Sequence, residues 1–127
     1  MASVVRGNDN FDSAAAAGLK AWVNFDGTFG TNPFTVANGG IRAAYNVSSV
    51  TDMGTGQYRV NFTNAMADTN YAVVNTVSGH SDPTEFVDSR MHGLGVALST
   101  AYASVSSKHP SATVWYDVYQ MSVSIFR

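Results

Sequence analysis

Side chains that could bind a ligand or do chemistry are densest in one short segment in the second half of the chain. Pro83 lies within this segment and favours a loop, and loops on a rigid scaffold are where binding residues gather. A solvated surface loop is one interpretation, and contact with a receptor is the other. The receptor-binding candidates are this polar group together with one aromatic residue: His80, Asp82, Glu85, Asp88, Arg90, His92 and Tyr102.

The polar group does not have the spacing of a metal site or a catalytic centre. Zinc and calcium sites need several ligands at defined spacings, and neither HxH nor HExxH occurs in the chain. Asp82, Glu85 and Asp88 could supply the carboxylate pair of a glycosidase, but nothing in the sequence indicates a cleft between them. A GxSxG nucleophile motif and a P-loop are also absent. We therefore predict a protein without catalytic residues, cofactor or metal.

Aromatic side chains form a second candidate site. Trp115, Tyr116 and Tyr119 are close in sequence, and Tyr102 could join them. Exposed rings of this kind can stack on sugars, whereas Tyr116 and Tyr119 also fall on apolar positions that favour core packing. Both interpretations remain open at this point.

Composition predicts an all-β protein. Valine and alanine occur 16 times each, but there are only 3 leucines, 2 isoleucines, 2 lysines and 1 glutamate. Residues that build amphipathic helices are therefore scarce, whereas those that fit strands are common. The 7 basic residues are scattered singly and the formal net charge is −2, which argues against nucleic-acid binding. The N-terminus lacks a signal peptide and no run could insert in a membrane, so we expect synthesis in a cytoplasm.

The hydrophobic pattern predicts one domain over residues 20–127, preceded by an N-terminal arm or linker over residues 1–19. Six to eight short strands with close turns indicate an antiparallel β-sandwich or a Greek-key knob. Alternating or apolar runs place the predicted strands at Lys20–Asp26, Ile41–Val50, Gln57–Thr63, Tyr71–Val77, Met91–Leu98, Ala101–Val105 and Ala112–Phe126, with a hairpin turn at Thr51–Gly56.

Three of these segments carry finer predictions. Ile41–Val50 should point Ala43 and Tyr45 inward together with its other odd-numbered apolar residues. Tyr71–Val77 is apolar on both faces, so it should be either central in a sheet or covered by a second surface. In Ala112–Phe126 the inward apolar positions change from even-numbered to odd-numbered residues near Asp117. This change predicts either a bulge or two short strands that meet there.

The loop between the first two predicted strands holds two phenylalanines that need cover. Phe29 and Phe34 either cap the edge of the core or contact another subunit.

Four short sequence blocks together resemble a module of bacteriophage tail-fibre and related virion proteins, including those of cyanophages. They are KAWVNF at Lys20–Phe25, IRAAYNVSS at Ile41–Ser49, GTG at Gly54–Gly56 and YRVNF at Tyr58–Phe62. MADTNYAVV at Met66–Val74 and the closing VSIFR at Val123–Arg127 extend the resemblance to about half of the chain.

The resemblance implies a non-enzymatic virion structural protein, most often a homotrimer at the receptor-binding end of a tail fibre. The expected partner is a glycan or protein receptor on the host surface, contacted through the variable region 78–111. The alternative is a decoration, cement or knob protein that docks on other virion proteins through residues 1–19. Either way the expected location is the virion, on a tail fibre or on the capsid surface, after synthesis in the host cytoplasm.

Overall fold

The chain folds as a β-sandwich of two antiparallel four-stranded sheets in a computed structural model. The structure describes residues 18–79, the backbone of 88–90, and residues 98–108 and 115–127. The strands are β1 (Leu19–Phe25), β2 (Ile41–Tyr45), β3 (Val47–Gly54), β4 (Gln57–Phe62), β5 (Ala72–Ser78), β6 (Asp88–Arg90), β7 (Tyr102–Lys108) and β8 (Gln120–Phe126). Sheet A has the order β2-β1-β8-β5 and sheet B the order β3-β4-β7-β6. The predicted all-β sandwich is confirmed.

Alternation in the strands builds the core between the two sheets, as the sequence predicts. Sheet A contributes the inward side chains of β1 and β8, and sheet B contributes those of β3, β4 and β7. The buried set is Ala21, Val23, Phe25, Ile41, Val47, Val50, Tyr58, Val60, Phe62, Ala103, Val105, Met121, Val123 and Ile125, joined by Phe34, Met66, Tyr71 and Val118 from the connections. The Phe34 ring is fully buried and Phe29 packs against the core, so both cap the core edge.

The segment predicted as one strand over Ile41–Val50 is two strands in different sheets. Asn46 interrupts it with a φ of 54°, so β2 lies in sheet A and β3 lies in sheet B. The prediction that Ala43 and Tyr45 point inward is also wrong. Arg42 is an extra residue in the pairing of β1 with β2, and one extra residue reverses the side-chain face. Ala43 and Tyr45 are consequently exposed, and Tyr45 keeps 54% of its surface accessible.

Strand β5 lies at the edge of sheet A, not at its centre. It pairs with β8 on one side, and the described residues place no strand on its other side. Its inward side chains Val73 and Val77 are half-buried against the core, whereas Val74 on the other face is 53% exposed. The prediction of a central strand is therefore wrong, whereas the alternative, a strand covered by a second surface, stays a prediction.

The C-terminal run forms a shorter strand than the hydrophobic pattern suggested. β8 begins only at Gln120, and Trp115 makes an isolated bridge to Lys108. Residues 116–119 are not in a strand. The change from even-numbered to odd-numbered apolar positions therefore marks where the connection ends and β8 begins, and not a bulge. Val118 is buried, but Tyr119, which was expected to face inward, is 44% exposed.

Two other predictions fall partly or wholly on residues outside this description. Of the predicted strand Met91–Leu98, only Leu98 is described, and it belongs to no strand. The N-terminal arm is described only from Gly18, whose carbonyl oxygen accepts a hydrogen bond from the amide of Arg127. None of the described helical segments is long and apolar enough to cross a bilayer.

Candidate functional site

Most of the predicted receptor-binding residues lie outside the part of the chain that the structure describes. This holds for His80, Asp82, Glu85 and His92. Asp88 and Arg90 are described in their backbone only, as the ends of the edge strand β6 on sheet B. The polar segment as a receptor contact therefore stays a prediction.

Tyr102 is the one predicted site residue with a described side chain. It begins β7 on the outer face of sheet B and is half-buried. The guanidinium carbon of Arg59 lies 4.1 Å from the centre of its ring, which is a cation–π contact. Its cross-strand neighbour Asn61 donates hydrogen bonds to the hydroxyls of Ser49 and Thr51. Tyr102 thus belongs to a polar, internally bonded surface.

Three of the four aromatic residues proposed as a sugar platform, Tyr102, Trp115 and Tyr119, lie in separate places. Tyr102 and the Trp115 bridge partner Lys108 lie at opposite ends of β7, about 20 Å apart at the usual rise of a strand. The Trp115 ring contacts Lys108, with the ammonium 5.7 Å from the ring centre. Tyr119 instead lies under the guanidinium of Arg42, 5.4 Å from the ring centre. The sequence alone does not separate these places, because the four residues are close in the chain.

The outer face of sheet A carries an exposed apolar surface that the sequence interpretation missed. Cross-strand pairing places Val74, Ser124, Trp22 and Tyr45 in one row across all four strands. Phe126, in the next outward position of β8, is 42% exposed. No charged side chain interrupts this row. The outward positions of Trp22 and Phe126 in the alternating pattern were the sequence signal for this surface. Alternation alone does not predict that Tyr45 lies on the same face, because it does not predict the bulge at β2.

A groove of about 630 Å³ opens at the end of the sandwich where β1 starts and β2 ends. Its walls come from Leu19 and Lys20, from Tyr45, from the loop 63–67 and from Arg127. The exposed Tyr45 ring therefore borders both the groove and the outer face of sheet A.

Asn46 lines the groove and fixes its two sides to each other. Its side-chain amide donates to the carbonyl oxygens of Lys20 and Asn64, at 3.0 and 3.1 Å. Its side-chain oxygen accepts from the amide of Asn64 at 2.7 Å. The start of β1 and the loop after β4 are thus tied through one residue, so the groove is shaped before any ligand arrives.

Charge around the groove is largely compensated. The guanidinium of Arg127 donates two hydrogen bonds to Asp68, and the one from Nε to Oδ1 is 3.0 Å long. These bonds hold the pKa of the Asp68 carboxyl at about 2, below its usual range, and raise the pKa of Arg127. Lys20 is the one lining cation without an ion pair among the described residues. The lining is otherwise composed of amides, hydroxyls and apolar groups.

A metal-binding cluster is not found in the described part of the chain. Within it, no three His, Cys, Asp or Glu side chains come close enough together to bind a metal ion. No protein-family model matches this chain, and no curated protein or solved structure does either.

Proposed function

We propose that this chain is a non-enzymatic structural protein of a bacteriophage virion that attaches to a glycan on the host surface. In this proposal it is made in the host cytoplasm, sits in a tail fibre or knob, and acts as a homotrimer. The sequence motifs that resemble tail-fibre modules support the phage assignment. The sandwich is compatible with it, because such a scaffold offers wide surfaces for contact.

The observation that carries the proposal is the exposed apolar row on the outer face of sheet A. Large contiguous apolar patches are uncommon on soluble monomers and mark contact sites. Here Tyr45 and Val74 are each more than half exposed at the two ends of the row, with Trp22 between them. Contact with another molecule would remove this surface from water.

The two edges of sheet A suit two different contacts, one with identical copies and one with a receptor. β2 and β5 are separated by three strand spacings, or about 14 Å. The β5 edge, with Val74 and the neighbouring Phe126, is apolar and suits packing against identical copies. The β2 edge, with Tyr45 and the groove, would then remain accessible for a receptor. Three linked copies would strengthen a weak glycan contact through effective concentration.

Binding of the purified protein to host cells tests attachment. We expect saturable binding that is lost when surface glycans are removed enzymatically, and we expect the protein to compete with phage adsorption. Imaging of virions with a labelled antibody should place the protein at the tip of a fibre. Absence of cell binding, together with a location away from the tail, would contradict the proposal.

A capsid decoration protein is the second candidate. The same apolar face suits a protein partner, and β1 starts beside the groove, so residues 1–17 join the sandwich at that end. Co-sedimentation with capsids that is lost on deletion of residues 1–17 would favour this candidate. Gly18 should be retained, because its carbonyl oxygen binds the amide of Arg127.

A further inference from the structure

We infer that the groove beside Tyr45 is the glycan site and that it takes neutral sugar units. This inference rests on the proposed function, since it names the surface and the ligand class for attachment. It replaces neither the predicted polar segment 80–92 nor Tyr102 as contacts elsewhere on the molecule.

The shape and lining of the groove fit a short piece of a carbohydrate chain. Its volume of about 630 Å³ lies in the range of small-ligand sites, which combine apolar walls with a few polar groups. The Tyr45 ring supplies an exposed flat apolar surface, of the kind on which the apolar face of a sugar ring can pack. The groove thus offers a stacking surface beside a concave wall.

Polar groups in the same groove can bind sugar hydroxyls. Thr63 and Asn64 line the groove and are exposed, and an amide and a hydroxyl can each both donate and accept hydrogen bonds. The backbone of Asn64 is held by Asn46, so the segment that carries these side chains is already in place. Little ordering is then required on binding, which favours affinity at a small site.

The compensated charge selects the ligand class. Arg127 is already engaged by Asp68, and a single cation, Lys20, remains without an ion pair in the described lining. The single Lys20 ammonium would only partly replace the hydration that the carboxylate of an acidic sugar loses on binding. Recognition by ring contact and hydrogen bonds instead suits neutral hexoses and N-acetylhexosamines.

Fluorescence of Trp22 offers a direct readout, because this residue is the cross-strand neighbour of Tyr45. The background variant Trp115→Phe leaves Trp22 as the only tryptophan, since the chain has two. Neutral tetrasaccharides of hexose and N-acetylhexosamine are titrated into the full chain up to about 10 mM, a range that covers weak single sites. We expect a saturable change that does not depend on salt concentration, because no charge pair forms with the ligand.

Tyr45→Ala should weaken this binding about tenfold or more, the loss expected for removal of a stacking ring. Tyr45→Phe should retain it, because the flat ring is kept and Trp22 stays the only tryptophan. Tyr119→Ala is the matched control, because Tyr119 is also an exposed tyrosine but contacts Arg42, away from the groove. The circular dichroism spectra of the variants should equal that of the parent, since neither ring belongs to the buried core.

Several results would overturn the inference. These are no response to any neutral tetrasaccharide, equal binding by Tyr45→Ala, or binding only of uronic-acid tetrasaccharides that salt abolishes. Binding that appears only after deletion of residues 1–17 would also overturn it, because the chain itself would then occupy the groove. If Tyr45→Ala still attaches to cells as the parent does, the groove inference fails while the proposed function stands. If the parent attaches to no cells, the proposed function fails independently.

Discussion

The hydroxyl of Tyr58 is a buried polar group beside the apolar core. It lies 3.0 Å from Oδ1 of Asp117 and 3.1 Å from the carbonyl oxygen of Gly27, and it accepts a bond from the amide of Val118. Asp117 also accepts from the amide of Gly56. One phenol therefore joins sheet B to the turn after β1 and to the connection before β8. Gly27 is required here, since a Cβ would lie 2.4 Å from the Tyr58 oxygen.

Tyr58→Phe tests the strength of this junction. We expect a loss of about 1–3 kcal/mol in the free energy of unfolding, because the substitution leaves buried partners without their hydrogen bonds. Urea denaturation followed by fluorescence measures the change. Tyr119→Phe, at an exposed tyrosine, should alter stability by less than about 0.5 kcal/mol. Equal effects of the two variants would contradict the role assigned to the buried hydroxyl.

The same residue predicts a loss of stability in alkali. Burial, reinforced by the Asp117 carboxylate, raises the pKa of Tyr58 above its ordinary value of 10.0. The folded protein keeps the phenolic proton at a pH where the unfolded chain releases it. Stability from this group is thus complete below pH 10 and decreases as pH rises above about 10. Urea midpoints from about pH 8 to about pH 11 should fall less steeply in Tyr58→Phe than in the parent.

Alternation in the sequence correctly predicts that Tyr58, Val60 and Phe62 point into the core. It does not predict the hydrogen-bond partners of the Tyr58 hydroxyl. Gly27 and Asp117 lie 31 and 59 residues away in the chain, and their approach depends on how the sheets pack.

Among the elements, the connection between β2 and β3 determines how the two sheets are joined. Asn46 adopts the left-handed conformation, which asparagine tolerates better than most residues. Its side chain also holds the start of β1 and the loop after β4. The chain thus crosses from sheet A to sheet B at this single residue, whose side chain also holds the end of the sandwich together.

Asn46→Ala and Asn46→Gly separate these two contributions. We expect Asn46→Ala to lose about 2–4 kcal/mol of stability, because it combines backbone strain with lost hydrogen bonds. Asn46→Gly loses the same bonds without the strain, so it should be more stable than Asn46→Ala by about 1 kcal/mol. Thermal and urea unfolding measure both. Identical stability of the two variants would show that the left-handed backbone imposes no cost.

Strands with clean alternation are predictable, whereas the interruptions are not. Gln57–Thr63 was placed within one residue of β4, and the hairpin to β3 forms as expected. Asn46 and the bulge at Arg42 were missed because each is a single residue inside an apolar pattern that continues across it. That bulge alone decides that Tyr45 faces outward, so the groove could not be predicted from the hydrophobic pattern.

At the scale of the whole molecule, the two outer faces differ in chemistry. Sheet B presents a polar outer row that includes Asn61 and Arg59, whereas sheet A presents the apolar row that includes Val74 and Trp22. Apolarity on both faces of Tyr71–Val77 was a correct reading of its residues. The place of this strand within the sheet could not be predicted. A central strand and an edge strand that packs against another molecule both bury side chains on two faces.

Val74→Lys tests whether the β5 edge lies in an interface between copies. We expect the parent to scatter light as a trimer at micromolar concentration and Val74→Lys to become a monomer, because a buried unpaired charge is costly. Val36→Lys is the matched control, since Val36 is 60% exposed in the loop between β1 and β2. A parent that is monomeric, or a Val74→Lys variant that stays trimeric, would contradict this use of the edge.

The place of β8 in sheet A has a consequence for folding. β8 follows the other seven strands in chain order, yet it lies between β1 and β5 and pairs with both. Before β8 is in place, β1 and β5 have no common neighbour and their inward side chains remain in water. A chain cut before Gln120 would therefore display open strand edges that invite aggregation. Sheet A thus cannot close until its latest strand has arrived.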